Sequence, residues 1–358
     1  MKRFFIAAVA MLAMVACSKD DTGSVLDSSK KSVSITISNA ISDSDTRALT
    51  NSAVGLQNLA CTHADDLVFV FCTGAGTKVT AKTINDAYES NGVYTFHGLD
   101  QSVSLVYVIA NGAGSNKITT SNAPATVDAA RTLWQTQTPD VEWDEIIVFG
   151  YGAAKHVMAN GEEVFCEVDG HKYPLFEASV EVKPAHSRVE VINIACNDLG
   201  TKYNKITLQN LVLAPGLNGG LVQPLGSGNG FQLDATANPA VKSLTPGTGK
   251  AWSWNVKEQV ATDLVLNVIV NEGNGWNIPA GTEARTVTVV DYKAPANYAT
   301  TSNINDKGNL KQFLNGEIYA LDLTFSEDNI HTDSDMLCVN VDVKIANWVV
   351  VPVTPVFN

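Results

Sequence analysis

The sequence predicts an all-β protein with minor α content, arranged as two tandem antiparallel β-sandwich domains. Three observations carry this. Apolar and polar residues alternate with a period of two in short runs along most of the chain. Gly, Asn and Pro stand between the runs, where turns require them. A length of 358 residues with a 45% apolar share is enough for two separate cores.

The chain opens "MKRFFIAAVAMLAMVACSKDD". Lys2 and Arg3, an apolar run from Phe4 to about Val15, and small residues before Cys17 form the layout of a secretory signal. The run is too short to span a membrane as a helix. "MVAC" resembles a bacterial lipobox, which makes residues 1–16 a signal peptide and Cys17 the lipidated residue. A plain secretory signal with an incidental cysteine is the alternative. "SKDD" resembles the surface-export signal of Bacteroidota lipoproteins, and its bland reading is a solvated tether. Both readings place the mature chain outside the cytoplasm, as an outer-membrane lipoprotein precursor or a secreted protein.

"SVSITIS" (residues 32–38) follows, with Val33, Ile35 and Ile37 on one face and hydroxyl side chains on the other, as in a half-buried strand. Next comes "SDSDTRALT" (residues 42–50), small and polar around Arg47 and Ala48. The theme of alternation then repeats in "DDLVFVFC", "VSLVYVIA", "EIIVFGY", "ASVEVKP" and "SRVEVINI", and again in "NKITLQNLVL", "DLVLNVIV", "RTVTVVDY" and "EIYALDLTF". Only "PATVDAARTLWQTQ" (residues 124–137) reads as a helix. The passage into the Gly-rich "APGLNGGLVQPLGSGNG" sets a domain boundary near residues 190–200, giving domains of 48–192 and 193–358 behind a propeptide of 17–47.

Charge and motifs exclude several function classes. Residues 1–47 hold six basic and five acidic side chains, so the formal charge is −13 for the whole chain and −14 from Ala48 onward. Such a chain repels polyanions and is not a nucleic-acid binder. Of the six cysteines, five remain beside a lipidated Cys17 and none forms a CxxC pair; Cys72 and Cys338 sit in apolar runs as small hydrophobes do, and one bridge stays open as the alternative. "LTPGTGKA" (residues 244–251) lacks the first glycine and the final Ser or Thr of a phosphate loop and reads as a turn; "GSGNGF" (residues 226–231) reads as a hairpin loop. The six histidines show no metal-ligand spacing, and no HExxH or GxSxG is present. "SEDNIHTDSD" (residues 326–335) offers carboxylates without the spacing of a calcium loop. Trp252 and Trp254 alternate as one face of a strand, where core or interface packing is their use rather than a sugar platform. No catalytic residue, metal site or cofactor is predicted, and the chain is not read as an enzyme.

The end of the chain, "MLCVNVDVKIANWVVVPVTPVFN", holds two strand-like runs. Val339, Val341, Val343 and Ile345 alternate with polar residues, and Val349, Val351, Val353 and Phe357 share a parity behind Trp348. An apolar terminal strand needs a partner, either its own sheet or a groove on another molecule. Pro352 and Pro355 each remove a donor, which suits an edge-bound strand.

The lipobox, "TRA" after a first strand, "ASVEVKPAHSRVEVINI", "FLNGEIYALDLTF" and the final "VNVDVKIANWVVVPV" together resemble the fimbrillin family of Bacteroidota, subunits of type V pili. The resemblance runs in order along nearly the whole chain. It implies sandwich domains of transthyretin-like, Greek-key type. It also implies export as a lipoprotein by the lipoprotein export machinery, and cleavage between Arg47 and Ala48 by an Arg-specific surface protease. The strand bearing Val33, Ile35 and Ile37 is then discarded, and a C-terminal segment of about 336–358 (Trp348, Val349, Val351, Val353, Phe357) from another copy or a related pilin takes its place. The implied product is an extracellular, adhesive fimbrium that meets a host or bacterial receptor. Two alternatives stay open: a surface lipoprotein that binds glycans, and an anchor or tip subunit of the same pilus.

Overall fold

The computed structural model describes residues 24–38, 60–63, 66–90, 92–112, 114, 117–139, 141, 145–214, 220–225, 231–246, 251–273, 283–296, 298–331, 338–347 and 349–351. They fall into two compact units that meet in sequence between Ala185 and His186, with the 349–351 strand assigned to the first.

The first unit contains β1 (Val25–Leu26), β2 (Lys30–Ser38), β3 (Ala60–His63), β4 (Val68–Cys72), β5 (Lys78–Thr83), β6 (Tyr88–Ser90), β7 (Val93–Asp100) and β8 (Leu105–Ala110). After the helix α1 (Val127–Thr136) come β9 (Val148–Ala153), β10 (Lys155–His156), β11 (Met158–Ala159), β12 (Glu162–Glu163), β13 (Phe165–Val168), β14 (His171–Glu181) and β15 (Lys183–Pro184). A seven-stranded sheet runs β1-β14-β2-β7-β6, with β10 and β13 also on β14, and a five-stranded sheet runs β15-β9-β8-β4-β5.

The two sheets face each other. Phe69 and Phe71 of β4 meet Phe96 of β7 at ring-centroid distances of 4.9 and 5.1 Å, and Phe69 meets Tyr94 at 5.5 Å. Alternate residues of β4 point the other way: Val68, Val70 and Cys72 join Val127 and Ala130 of α1 in one cluster. A strand covered on both faces reads as a continuous apolar run, which is why all of "VFVFC" is buried. The helix begins where Thr126 Oγ1 accepts the Ala129 N–H at 3.0 Å, and Trp134 Nε1 anchors its far turn on the Lys183 carbonyl at 3.0 Å. Where β9 crosses β14 the backbones touch: a Cβ on Gly150 would lie 2.1 Å from the Glu181 carbonyl oxygen, and one on Gly152 2.2 Å from that of Ser179. Only glycine permits that approach.

The second unit contains β16 (Ser187–Cys196), β17 (Tyr203–Leu213), β18 (Leu221–Pro224), β19 (Gln232–Asp234), β20 (Ser243–Leu244), β21 (Trp252–Val256) and β22 (Gln259–Val260). They are followed by β23 (Leu264–Gly273), β24 (Glu283–Lys293), β25 (Gln312–Phe313), β26 (Glu317–Phe325) and β27 (Cys338–Asn347). Ten of these form one sheet in the order β18-β17-β23-β24-β27-β26-β16-β20, with β19 beside β17 and β21 beside β16. Leu208, Leu266 and Val287 from one half share a core with Val191, Trp252 and Leu321 from the other, so the sheet folds over itself into a sandwich. Trp252 and Trp254 are core residues of this unit.

Three features depart from the sequence reading. The sheets are mixed rather than antiparallel throughout: β2 with β14, β16 with β26 and β24 with β27 are parallel pairs. Each joins strands far apart in sequence, where no tight hairpin imposes antiparallel order. The division lies before β16 rather than at 192/193, because β16 is one continuous strand of the second core, paired along its length with β26. The residues from about 336 onward are also not one element. β27 is an interior strand of the second unit, whereas β28 (Val349–Val351) pairs in parallel with β3, Val349 opposite Ala60 and Val351 opposite His63.

Candidate functional site

β2 occupies a slot in the middle of the seven-stranded sheet, parallel to β14 on one side and antiparallel to β7 on the other. Val33 stands opposite Phe96 and Phe176, Ile35 opposite Tyr94 and Ala178, and Ile37 opposite Val180. Directly paired residues share a face, so Val33 and Ile35 point with Phe96 and Tyr94 toward the five-stranded sheet. Val33 and Ile35 are 0% exposed and Ile37 7%. These three are the residues that the sequence singled out, and the fold brings them together at the centre of one unit.

The opposite face of β2 is also covered, which the alternation did not foretell. Ser32 is 0% and Ser34 5% exposed. Ser32 Oγ lies 2.8 Å from His97 Nδ1, and Ser34 Oγ lies 2.8 Å from Thr95 Oγ1. Burial pushes the His97 imidazole below its ordinary pKa, opposed by the Asp169 carboxylate. At the head of the strand, Lys31 Nζ donates to the Val103 carbonyl at 2.6 Å and sits 3.9 Å from the centre of the Phe176 ring. Burial pushes the Lys31 amine down, against the pull of Asp100. Between Lys31 and Val33 the pairing with β7 shifts register, with His97 and Gly98 opposite Ser32 alone, and Gly98 takes φ +66°. The bulge aims His97 at Ser32.

A period of two in "KKSVSITIS" identifies faces, not what covers them. Lys31, Ser32, Ser34, Thr95, His97 and Phe176 were therefore not legible as site residues; the nearest clue was His97 in "YTFHGLD", a polar residue at the end of an apolar run.

β1 extends the same segment, pairing in parallel with β14 through Val25 opposite His171 and Leu26 opposite Lys172. Ser24 Oγ donates to Glu167. All described residues before Ala60 thus belong to this inserted segment. Without it the sheet divides into β6 with β7 on one side and β14 with β10 and β13 on the other.

Of the other predicted positions, Cys17, Arg47, Ala48, Trp348, Val353 and Phe357 lie outside the described residues, as do the glycine-rich stretches 226–230 and 247–250. Val349 and Val351 lie in β28. In the acidic stretch, Glu327 is a buried carboxylate that accepts the backbone N–H groups of Gly200, Lys202 and Tyr203 at 2.9, 2.5 and 3.1 Å, which makes it a loop clamp. Arg188 and Glu190 form a buried pair at 2.5 Å, with Arg188 also donating to Ser253 at 2.7 Å. Cys72, Cys166 and Cys196 are buried, and burial raises the Cys72 thiol to about 11 and the Cys196 thiol to about 12. Among the described residues no group of three or more His, Cys, Asp or Glu is placed to hold a metal ion.

No family model and no curated protein sequence matches this chain. Solved structures resemble it along most of its length. A fimbrilin (fimA) from Porphyromonas gingivalis W83 is similar at 13% identity and a TM-score of 0.46, over 90% of this chain and 98% of that one. The tip fimbrial protein Mfa3 from Porphyromonas gingivalis, with C-terminal truncation, is similar at 12% identity and a TM-score of 0.39, over 89% and 100%. A fimbrial assembly protein from Parabacteroides distasonis ATCC 8503 is similar at 14% identity and a TM-score of 0.38, over 84% and 93%.

Proposed function

We propose that this chain is a structural subunit of a type V surface fimbria that polymerises by strand exchange. It is exported as a lipoprotein on Cys17, cut between Arg47 and Ala48, and serves adhesion. The observation that carries this reading is the position of β2. A strand at the centre of a sheet is joined to the folded body only through the stretch that contains Arg47. One cut there turns β2 from an integral strand into a ligand held without a covalent bond.

The magnitudes are compatible with exchange. Val33, Ile35 and Ile37 contribute roughly 1.5–3 kcal/mol each by burial, and each ladder hydrogen bond about 0.5–1.5 kcal/mol net. Such a segment is retained when tethered and replaceable when loose, since association carries a cost of ~10 kcal/mol. The replacing strand would come from the C-terminal segment of another subunit. β28 supports that choice because it forms no part of either large sheet, so its departure leaves both intact. A head-to-tail contact of this kind extends into a filament instead of closing.

The test is the N-terminal sequence of the protein in material sheared from cells, with its size on a gel run without boiling. A start at Ala48 and a ladder of high-mass species support the proposal. A lipid-bearing Cys17 on a monomer overturns it in favour of an anchor subunit or a glycan-binding lipoprotein.

A further inference from the structure

The slot around β2 is built for more than apolar side chains. Toward the five-stranded sheet it takes Val33, Ile35 and Ile37. On the other face it presents two buried or half-buried polar side chains, His97 Nδ1 and Thr95 Oγ1, each met at 2.8 Å by a serine hydroxyl. At its head it presents the carbonyl of Val103, itself 0% exposed, beside the ring of Phe176, and both are met by the Lys31 amine. A strand that lacks these groups leaves a carbonyl, an imidazole and a hydroxyl short of partners, which costs more than the matched bonds gain. Sites of this kind reject analogues that lack a hydrogen-bonding group far more strongly than they reject a missing methylene.

The tail of this chain does not supply the pattern. Residues 348–358, "WVVVPVTPVFN", contain no Lys or Arg, and Thr354 is their one hydroxyl. Read in either direction and in any register, they can satisfy at most one of the three polar positions. Pro352 and Pro355 further remove two main-chain donors from a slot that is hydrogen-bonded on both sides.

We infer that the slot is a sequence-selective site whose preferred partner is not the tail of an identical subunit. That partner is a strand of a different chain, in which a basic residue is followed by alternating hydroxyl and apolar residues, as in Lys31–Ile37. This rests on the strand-exchange reading and narrows it from self-assembly to heterotypic assembly at this end of the subunit.

The experiment uses the full-length chain nicked at Arg47, or at a cleavage site engineered into residues 39–50 if Arg47 resists, so that selectivity is measured whether or not Arg47 is the natural cut. Labelled peptides compete for the slot, and native mass spectrometry follows displacement of the N-terminal segment. The probes are residues 31–38, the same peptide carrying Ser32→Ala with Ser34→Ala, with Ser32→Thr and Ser34→Thr, or with Lys31→Ala, and residues 348–358. The wild-type and threonine peptides should enter the slot with similar affinity. The alanine pair should bind about tenfold or more weakly, Lys31→Ala several-fold more weakly, and the 348–358 peptide weakest of all. Equal binding by the serine and alanine peptides, or tighter binding by the 348–358 peptide, overturns the selectivity while leaving strand exchange in place. Failure of every peptide to displace the segment overturns both.

Discussion

Ser34 Oγ and Thr95 Oγ1 stand 2.8 Å apart, on residues 5% and 6% exposed, and join the segment that precedes Arg47 to a strand that follows it. A hydroxyl pair buried inside a sheet makes β2 an integral strand rather than a loose leader. Its hold on the sheet therefore depends on side chains that can be changed one at a time.

Arg47→Ala should leave the precursor whole. The variant is expected to keep its lipid-bearing N-terminus, to run as a monomer without boiling, and to remain membrane-associated on fractionation. Normal fibres from this variant would remove cleavage at Arg47 from the mechanism.

Two truncations should behave differently, because β27 is paired on both sides and β28 is not part of its sheet. Deleting residues 348–358 should leave the ten-stranded sheet folded, with native far-UV circular dichroism and protease resistance, but without polymer. Deleting from Cys338 onward removes the link between β24 and β26 and should abolish cooperative unfolding of the second unit. Equal protease resistance in both would contradict the sheet order.

Gly150→Ala should destabilise the first unit. Its Cβ would meet the Glu181 carbonyl at 2.1 Å, and a backbone oxygen cannot rotate aside. Separating the sheets there costs about 2–3 kcal/mol, on the order of 5–10 °C in melting midpoint. An unchanged midpoint by calorimetry would refute the close approach.

Acid should loosen the segment. His97 binds its proton less readily while buried against β2 than at its ordinary value of 6.5. Emptying the slot exposes the imidazole, so the vacated form takes up protons that the occupied form refuses. The contribution to retention is therefore complete above about pH 6.5 and is lost as pH falls below it. Release of the N-terminal segment from the nicked chain should be faster at pH 5 than at pH 7.5, and His97→Gln should shrink that difference. Identical pH profiles for the two proteins would exclude this imidazole as the cause.

How much of this was legible beforehand differs from element to element. The period of two located the strands, and the 3.6-residue pattern located α1, because both depend on which face of a single element is apolar. Val33, Ile35 and Ile37 were recognisable as a buried face for the same reason. What covers the serine face was not, since Ser32 and Ser34 are hidden by neighbours contributed by β7 and β14, far along the chain. "CVNVDVKI" and "WVVVPV" look alike as apolar runs, yet one is interior to a ten-stranded sheet and the other pairs with a short strand near the start of the first unit.

By itself the sequence determined the class of structure, the number of cores and the acidic character of the chain, and it set the expectations of export and of cleavage at Arg47. Each depends on composition or local spacing. Only the tertiary structure decided that β2 lies between β7 and β14, that it runs parallel to β14, and that a lysine and two serines are sealed in with it. Strand partners are chosen by the fit of whole faces and by hydrogen bonds between distant segments, and no local pattern of residues records that choice.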